Sequence, residues 1–314
     1  MNFIKPKFWD LKKPNFISKL LIIFTLPLII NNFLLNIRHK KKNHKIKTIC
    51  VGNIYLGGTG KTPATIKLYK IFTKLGLKVA VGKKFYNSHL DEISLLKNET
   101  SLITDTNRNN IIDKTLAEKK NLLIFDDGLQ DKNISYNIKI VCFDLSLFIG
   151  NGQLIPAGPL REKLDSIKKY DVVFLKGNNN NFENIYQLLI NHNPNIKVFK
   201  TFYKPLNLKE FDKKKDYLLF SGIGNPNSFK NIFLENNFNV IDNIIFPDHF
   251  EYKEKDIKKI KRKAEKFNAQ IITTEKDFVK IKDNYRSNIN FLKIDLEIDH
   301  EENLVNFIKS KIND

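Results

Sequence analysis

The sequence predicts an α/β chain: a parallel sheet with helices on both faces, a second and smaller α/β unit, and a hydrophobic helix at the N-terminus. Three observations carry that expectation. A β-rich run, KIKTICVG, leads into the glycine-rich string GGTGKT and then into a stretch with helical apolar spacing. A second apolar run, NLLIFDDG, ends on two adjacent carboxylates. Strand-like and helix-like stretches then alternate through most of the chain, the pattern that builds parallel sheets.

The chain has 314 residues, long enough for two compact units, and 42% of them are hydrophobic, which excludes global disorder. A net charge of +19 favours an anionic partner such as phospholipid headgroups, a phosphorylated substrate or nucleic acid. Lys, Asn, Ile and Phe are all abundant, as in AT-rich coding sequence, so charge alone names no partner. Cys50 and Cys142 lie far apart in apolar stretches, with neither metal-ligand nor disulfide spacing. They read as small buried hydrophobes.

The first segment, residues 1–45, is hydrophobic and basic. Its apolar core, Leu20 to Ile30, is about half the roughly 20 residues a membrane span needs. Lys5, Lys7, Lys12, Lys13 and Lys19 precede that core, and Arg38, Lys40, Lys41 and Lys42 follow it. A helix lying in the interface keeps both basic flanks on an anionic face, whereas a span pushes one outward. The interfacial reading is favoured; a single span, a signal peptide without a small-residue cleavage site, and a buried helix stay open.

The next segment, residues 46–204, opens with the strand Ile46–Val51. Glycines Gly57, Gly58 and Gly60 let backbone N–H groups close around phosphate oxygens, with the positive end of the following helix behind them. The nucleotide-phosphate site is therefore read over Tyr55, Leu56, Gly57, Gly58, Thr59, Gly60, Lys61 and Thr62. Lys61 would reach the β- and γ-phosphates, and the Thr62 hydroxyl would ligate Mg²⁺. Tyr55 stands where the strict phosphate-loop pattern has glycine. Asp126 and Asp127 end a buried strand at the carboxyl edge of the sheet, where an acid holds the magnesium ion or its water. Together these make the first unit a P-loop NTPase of the RecA-like kind, with ATP and Mg²⁺ as cofactors. Further strands are expected at Lys78–Val81, Ile138–Phe143 and Asp171–Leu175, with a polar loop at Gly177–Asn184.

The last segment, residues 205–314, reads as the smaller α/β unit. Tyr217–Phe220 is a strand entering the glycine turn SGIGNP, and NVIDNIIF and AQIITTEKD give two more strands around the Lys-rich helix Glu251–Phe267. Glu275, Lys276 and Asp277 follow a strand end, where they line a cleft or cap a helix.

Five strings, VGNIYLGGTGKTP, DDGLQ, GNGQLIPAGPLRE, FPDH and TTEKD, occur in the order found in the tetraacyldisaccharide 4'-kinases, the lipid A kinases of Gram-negative inner membranes, and the chain resembles that family along essentially its whole length. GNGQLIPAGPLRE is the most specific, because generic phosphate-loop physics does not demand it. The resemblance implies transfer of the ATP γ-phosphoryl group to the 4'-hydroxyl of a tetraacylated glucosamine disaccharide 1-phosphate. It also implies Asp91 of SHLDEISLL as the base that receives the hydroxyl proton, paired with His249. Arg161 looks like a phosphate- or substrate-clamping side chain, and Glu162 and Gln130 join it as substrate-binding residues. The partners implied are the glycolipid and an anionic membrane surface rather than nucleic acid. The location implied is the cytoplasmic face of the inner membrane, peripheral or monotopic. Because His249 and the phosphate loop fall in different segments, catalysis is expected to require closure between them.

This sequence departs from the family pattern at several positions. Lys83, Lys84, Phe85 and Tyr86 replace Ser-Arg-Gly-Tyr after the second strand, Lys84 keeping the charge without Arg's planar fork. The loop from there to Asp91 is short. Leu129 and Asp131 replace a Phe and a His beside the paired carboxylates. A basic P-loop protein that binds nucleic acid or protein, with nucleotide as a switch, and a family member without kinase activity are the competing readings.

Overall fold

The computed structural model describes residues 5–38, 44–86, 89–177 and 181–313. Lys40, Lys41, Lys42 and part of the Gly177–Asn184 stretch therefore lie outside the described residues. The N-terminal segment forms α1 (Phe16–Leu21) and α2 (Leu26–Arg38), joined by a 3₁₀ turn at Ile22–Thr25. It is thus two short helices rather than one. No helix among the described residues is long and apolar enough to cross a membrane.

The phosphate-loop half continues through β1 (Lys47–Gly52), α3 (Lys61–Lys74), β2 (Val79–Lys84), α4 (Leu90–Glu99), β3 (Leu102–Asp105), α5 (Arg108–Ala117), β4 (Leu122–Asp126), β5 (Ile138–Asp144), β6 (Val172–Lys176), α6 (Phe182–His192) and β7 (Lys197–Pro205). The remainder runs through β8 (Asp216–Ser221), α7 (Pro226–Glu235), β9 (Asn239–Ile245), α8 (Glu254–Lys266), β10 (Gln270–Thr274), α9 (Glu275–Phe278), β11 (Ile289–Leu292), β12 (Ile294–Ile298) and α10 (Glu301–Asn313).

The chain divides into two compact units. One comprises Lys5–Phe85, Glu99–Phe202 and Leu296–Asp314; the other comprises Tyr86–Asn98 and Tyr203–Asp295. Two pieces depart from the expectation of consecutive segments. The α4 stretch carrying Asp91 belongs with the 203–295 unit, although the sequence places it inside the phosphate-loop segment. The C-terminal helix α10 returns to the phosphate-loop unit, because β12 adds to that unit's sheet beside β7.

The large sheet has eight strands in the order β12-β7-β6-β5-β1-β4-β2-β3. β1 pairs in parallel with both β4 and β5, so the strand order reverses at β1. In open parallel sheets ligands bind outside the carboxyl ends of strands at such a reversal, and the glycine string leaves β1 there. Every residue of β4 and β6 is buried, as strands covered on both faces require. Ile49, Val51, Leu123 and Ile124 are fully enclosed in this sheet, and each such aliphatic side chain contributes roughly 1.5–3 kcal/mol. Burial pushes the Cys142 thiol up to about 12 and the Cys50 thiol well above its ordinary value, as the apolar context of both predicts.

The smaller unit is a four-stranded parallel sheet, β11-β10-β8-β9. On one face, α8 contributes Ile257, Ile260 and Ala264 to a cluster with Leu218 and Ile271. On the other, Phe229 and Phe233 of α7 pack with Tyr217 and Leu219. The lysines of α8 therefore face outward, the consequence of burying every third or fourth residue.

The N-terminal stretch is docked rather than loose. Trp9 is buried and its indole N–H donates to the Pro156 carbonyl at 3.0 Å. Ser18 is buried, and its hydroxyl donates to the Ala157 carbonyl at 2.6 Å. The Asn151 side-chain amide donates to Phe8 O, Ser18 Oγ and Ala157 O, and its backbone N–H donates to Trp9 O. Gly150 has φ +55°, and a Cβ there would stand 2.2 Å from the Trp9 carbonyl oxygen, so this close approach demands glycine. The GNGQLIPAGP part of the most specific string is in this structure the seat of the N-terminal segment.

Candidate active site

Within the phosphate-loop unit, β1 delivers the chain to Asn53, whose buried side-chain amide donates to the Gly57 carbonyl (3.1 Å) and Thr59 Oγ1 (3.0 Å). That brace shapes the glycine loop. Gly57 (φ +143°) and Gly60 (φ +90°) take conformations closed to ordinary side chains, and Gly60 turns the loop directly into α3. Lys61 and Thr62 open the helix; Pro63 is tolerated because first-turn N–H groups have no helical acceptor.

Two of the expected phosphate-binding residues are turned elsewhere. The Leu56 N–H donates to the Pro159 carbonyl at 2.8 Å, and Tyr55 bridges to Leu160 as an antiparallel pair. Tyr55 is fully buried, its hydroxyl donating to Asp10 at 2.5 Å while Lys5 Nζ lies 3.1 Å away. Burial first, and then the Asp10 carboxylate, push that phenol far above its usual range. The rest of the expected phosphate site, Gly57, Gly58, Thr59, Gly60, Lys61 and Thr62, forms the loop itself and the start of α3.

The paired carboxylates separate in role. Asp126 is buried and accepts hydrogen bonds from Thr62 Oγ1 (3.2 Å), Thr65 Oγ1 (3.3 Å) and Lys83 Nζ (2.6 Å). Asp127 sits in the left-handed region (φ +61°), and its carboxylate meets Arg161 Nη1 at 3.2 Å. Arg161 also lies 3.5 Å from Gln130 Oε1. Gln130 and Glu162 bond to one another (3.0 Å), and Glu162 further accepts from the Tyr170 hydroxyl (3.1 Å). Gln130 also donates to the Asn53 carbonyl, so it links Asn53 to Arg161, and the buried Glu162 braces Gln130. Among the described residues no group of three or more His, Cys, Asp or Glu side chains converges on a metal position. One carboxylate and one hydroxyl nevertheless fit Mg²⁺, which keeps water and phosphate oxygens for most of its shell.

The other unit brings Asp91 and His249 together. His249 Nδ1 stands 3.0 Å from Asp91 Oδ1 and 3.1 Å from Oδ2, although 158 residues separate the two in sequence. His249 has φ +59°; its ring is stacked on His89 at 4.9 Å. Such a backbone persists only where its surroundings enforce it. Lys276 and Lys280 approach Asp91 Oδ2 at 3.5 and 3.8 Å. Burial pushes the Asp91 carboxyl up, but the hydrogen bond to His249 and the two ammonium charges outweigh it and hold the group well below the usual carboxylate range. Burial acts to lower the Lys276 ammonium, but Asp248, Glu92 and Asp91 outweigh it and hold it well above its ordinary value. Asp277, by contrast, is a fastener: Gly222 N, Tyr252 Oη and Thr274 Oγ1 all donate to it.

A model of the tetraacyldisaccharide-1-P 4'-kinase family matches residues 18–313. The chain belongs to that family. Among curated 4'-kinase relatives, that of Pelagibacter ubique (strain HTCC1062) is 44% identical over 308 residues, covering 98% of this chain and 97% of the relative. The tetraacyldisaccharide 4'-kinase of Rickettsia bellii is 33% identical over 300 residues, covering 90% and 91%. The crystal structure of the "apo" form of LpxK from Aquifex aeolicus in complex with ATP has a similar fold, with TM-score 0.70 at 20% identity over 94% of this chain and 99% of that one.

Three residues beside the paired carboxylates and the glycine loop carry no role in the sequence-based reading. Arg108 donates to Asp131 at 2.9 Å and to the Asp127 carbonyl, so the Asp131 that replaces the family histidine is answered by a cation. Asn53 braces the glycine loop from within VGNIYLGGTGKTP. Lys83, passed over in favour of Lys84, is the residue that reaches Asp126.

Proposed function

We propose that this chain transfers the γ-phosphoryl group of ATP to the 4'-hydroxyl of a tetraacylated glucosamine disaccharide 1-phosphate. The observation that carries the reading is the Asp91–His249 pair, in a chain whose other unit holds a glycine loop beside Thr62 and Asp126. The loop amides and Lys61 would hold the triphosphate, and Thr62 and Asp126 would hold Mg²⁺, with Asp127 adjacent. When bound, Mg²⁺ would supply positive charge against the phosphates. In the transfer, a bond forms between the sugar oxygen and the γ-phosphorus, the bond to the β-bridging oxygen breaks, and the hydroxyl proton passes to Asp91. A carboxylate held so low is a weak base, which suits a loose transition state in which the hydroxyl becomes acidic only as the new bond forms. His249, with its proton on Nδ1, orients the carboxylate. Arg161, held by Asp127 and Gln130, is the anion clamp. Transfer of labelled γ-phosphate to the lipid disaccharide in detergent micelles tests the reading. ATP binding without transfer would favour a non-catalytic member, and salt-dependent nucleic-acid binding without transfer the basic P-loop alternative.

The site of work is a membrane surface, and we place it at the cytoplasmic face of the inner membrane. In α1 and the turn after it the usual pattern is inverted. Ser18 and Thr25 are buried, while Phe16 is 75% exposed, Ile23 70% and Phe24 65%. Apolar side chains outward and polar ones inward is what a helix resting in the headgroup region shows. Lys12, Lys13 and Lys19 flank that surface, each worth about 1 kcal/mol beside anionic lipid. The protein is expected to co-sediment with phosphatidylglycerol vesicles. The double variant Ile23→Asp, Phe24→Asp, altered only at exposed positions, is expected to stay in the supernatant with an unchanged unfolding midpoint. Equal sedimentation of the two proteins would count against this placement.

A further inference from the structure

A lysine with 2% of its side chain exposed is unusual, and Lys83 is aimed at the residue that would serve the metal. It leaves the end of β2, which pairs in parallel with β4, and the register sets Lys83 directly opposite Asp126. Its ammonium lies 2.6 Å from Asp126 Oδ2, an oxygen that also accepts from Thr62. Oδ1 accepts from Thr65, so both carboxylate oxygens already have protein partners, and the Asp126 side chain is 0% exposed. On the other side of β1 the same device recurs: Lys176, at the end of β6, meets Asp144 of β5 at 2.8 Å, again almost wholly enclosed. The reversal point of the sheet is thus bracketed by two buried Lys–Asp pairs, of which only the first includes a site acid.

We propose that Lys83 is a positioning residue, the resident counter-cation of Asp126, which fills the carboxylate's coordination in the nucleotide-free protein and makes divalent-ion entry conditional on ATP. Lys83 and a metal ion compete for one oxygen of Asp126. A buried carboxylate without a cation is costly, so a protein lacking Lys83 would recruit a divalent ion to Asp126 from solution. With Lys83 in place that charge is already answered, and a metal gains from this site only when phosphate oxygens supply the rest of its shell. The family pattern of Ser-Arg-Gly-Tyr places a serine where this chain has Lys83, so the variant Lys83→Ser restores a side chain without charge. The inference rests on the phosphate-loop reading above for the identity of the metal's partner.

The test uses the full chain in detergent, free of nucleotide. Thermal unfolding with EDTA or with millimolar Mg²⁺ is expected to give the same midpoint for the wild type. Lys83→Ser is expected to unfold earlier in EDTA and to recover with Mg²⁺, because a ligand that binds only the folded state stabilises it. Mn²⁺ titration followed by electron paramagnetic resonance is expected to show at least about tenfold tighter nucleotide-free binding in Lys83→Ser than in wild type, as an uncompensated buried carboxylate demands. An unchanged Mg²⁺ response in Lys83→Ser overturns the proposal. If that variant does not fold, the wild type decides alone. Nucleotide-free Mn²⁺ binding that Asp126→Asn abolishes overturns the proposal; no such binding supports it. Calorimetry with Mg·ATP on the same samples reports separately on the phosphate loop, since absence of heat there sinks that reading without touching the Lys83 comparison.

Discussion

Asp91→Asn is expected to lower kcat by about 10²–10⁴-fold, the usual contribution of a positioned general base, while ATP affinity measured by calorimetry stays close to wild type. The amide keeps the size of the carboxylate but can neither take the proton nor answer Lys276 and Lys280, which stand 3.5 and 3.8 Å away. The pH dependence separates the base role from a structural one. Burial acts to raise the Asp91 carboxyl, but His249, Lys276 and Lys280 hold it well below the ordinary range of about 4. For a group lowered on folding, the stability it lends is present above its unfolded value and is lost only as pH falls through the folded one. Between pH 5 and 8, an assay window spanning His titration, the wild-type rate should therefore show no acid limb from Asp91. Removing His249 or Lys276 takes away one lowering influence, so the acid limb of His249→Ala or Lys276→Ala is expected at higher pH than in wild type. Undiminished turnover in Asp91→Asn would end the base assignment while leaving the kinase reading in place.

Lys61→Ala is expected to reduce kcat/KM by about 10³-fold or more, roughly 4 kcal/mol of transition-state stabilisation at 1.36 kcal/mol per decade, and to weaken Mg·ATP binding in calorimetry. Its position explains the size. Gly60, at φ +90°, turns the chain so that Lys61 is the first residue of α3, where its charge adds to the positive helix end. Arg in its place keeps the charge, but its planar fork does not reproduce a compact ammonium on a four-carbon stem. Lys61→Arg is accordingly expected to recover only a minor part of the loss. Near-normal activity in either variant would remove the glycine loop from the mechanism.

Much of this site is legible in the chain because its physics is local. β1, the glycine loop and α3 follow one another without a break, and a strand ending in Asp126–Asp127 advertises itself by burial and polarity alone. Asp91–His249 was reachable only through resemblance, since nothing in either neighbourhood states that residues so far apart meet. Long-range assembly hides the rest. A lysine reads as solvated until the register of β2 on β4 puts Lys83 across from Asp126. Tyr55 and Leu56 look like loop residues until the 159–161 stretch runs alongside them. Gln130 and Glu162 carry the polarity of binding residues, and only the fold shows that they also bond to one another. The excursion of α4 into the other unit and the return of α10 are matters of chain path, to which hydrophobic periodicity is blind.

Trimming the first two dozen residues to obtain a better-behaved soluble enzyme would be a poor bargain for this chain. Such a deletion takes Trp9 out of its slot over Pro156, Ser18 from Ala157, and Asp10 and Lys5 from the Tyr55 hydroxyl. The 150–157 stretch would then lose the segment seated on it, and the buried Tyr55 hydroxyl would lose its Asp10 partner. Greasy leader and nucleotide machinery are one piece of carpentry here, so solubility is better sought by repainting the outward side chains than by sawing off the beam.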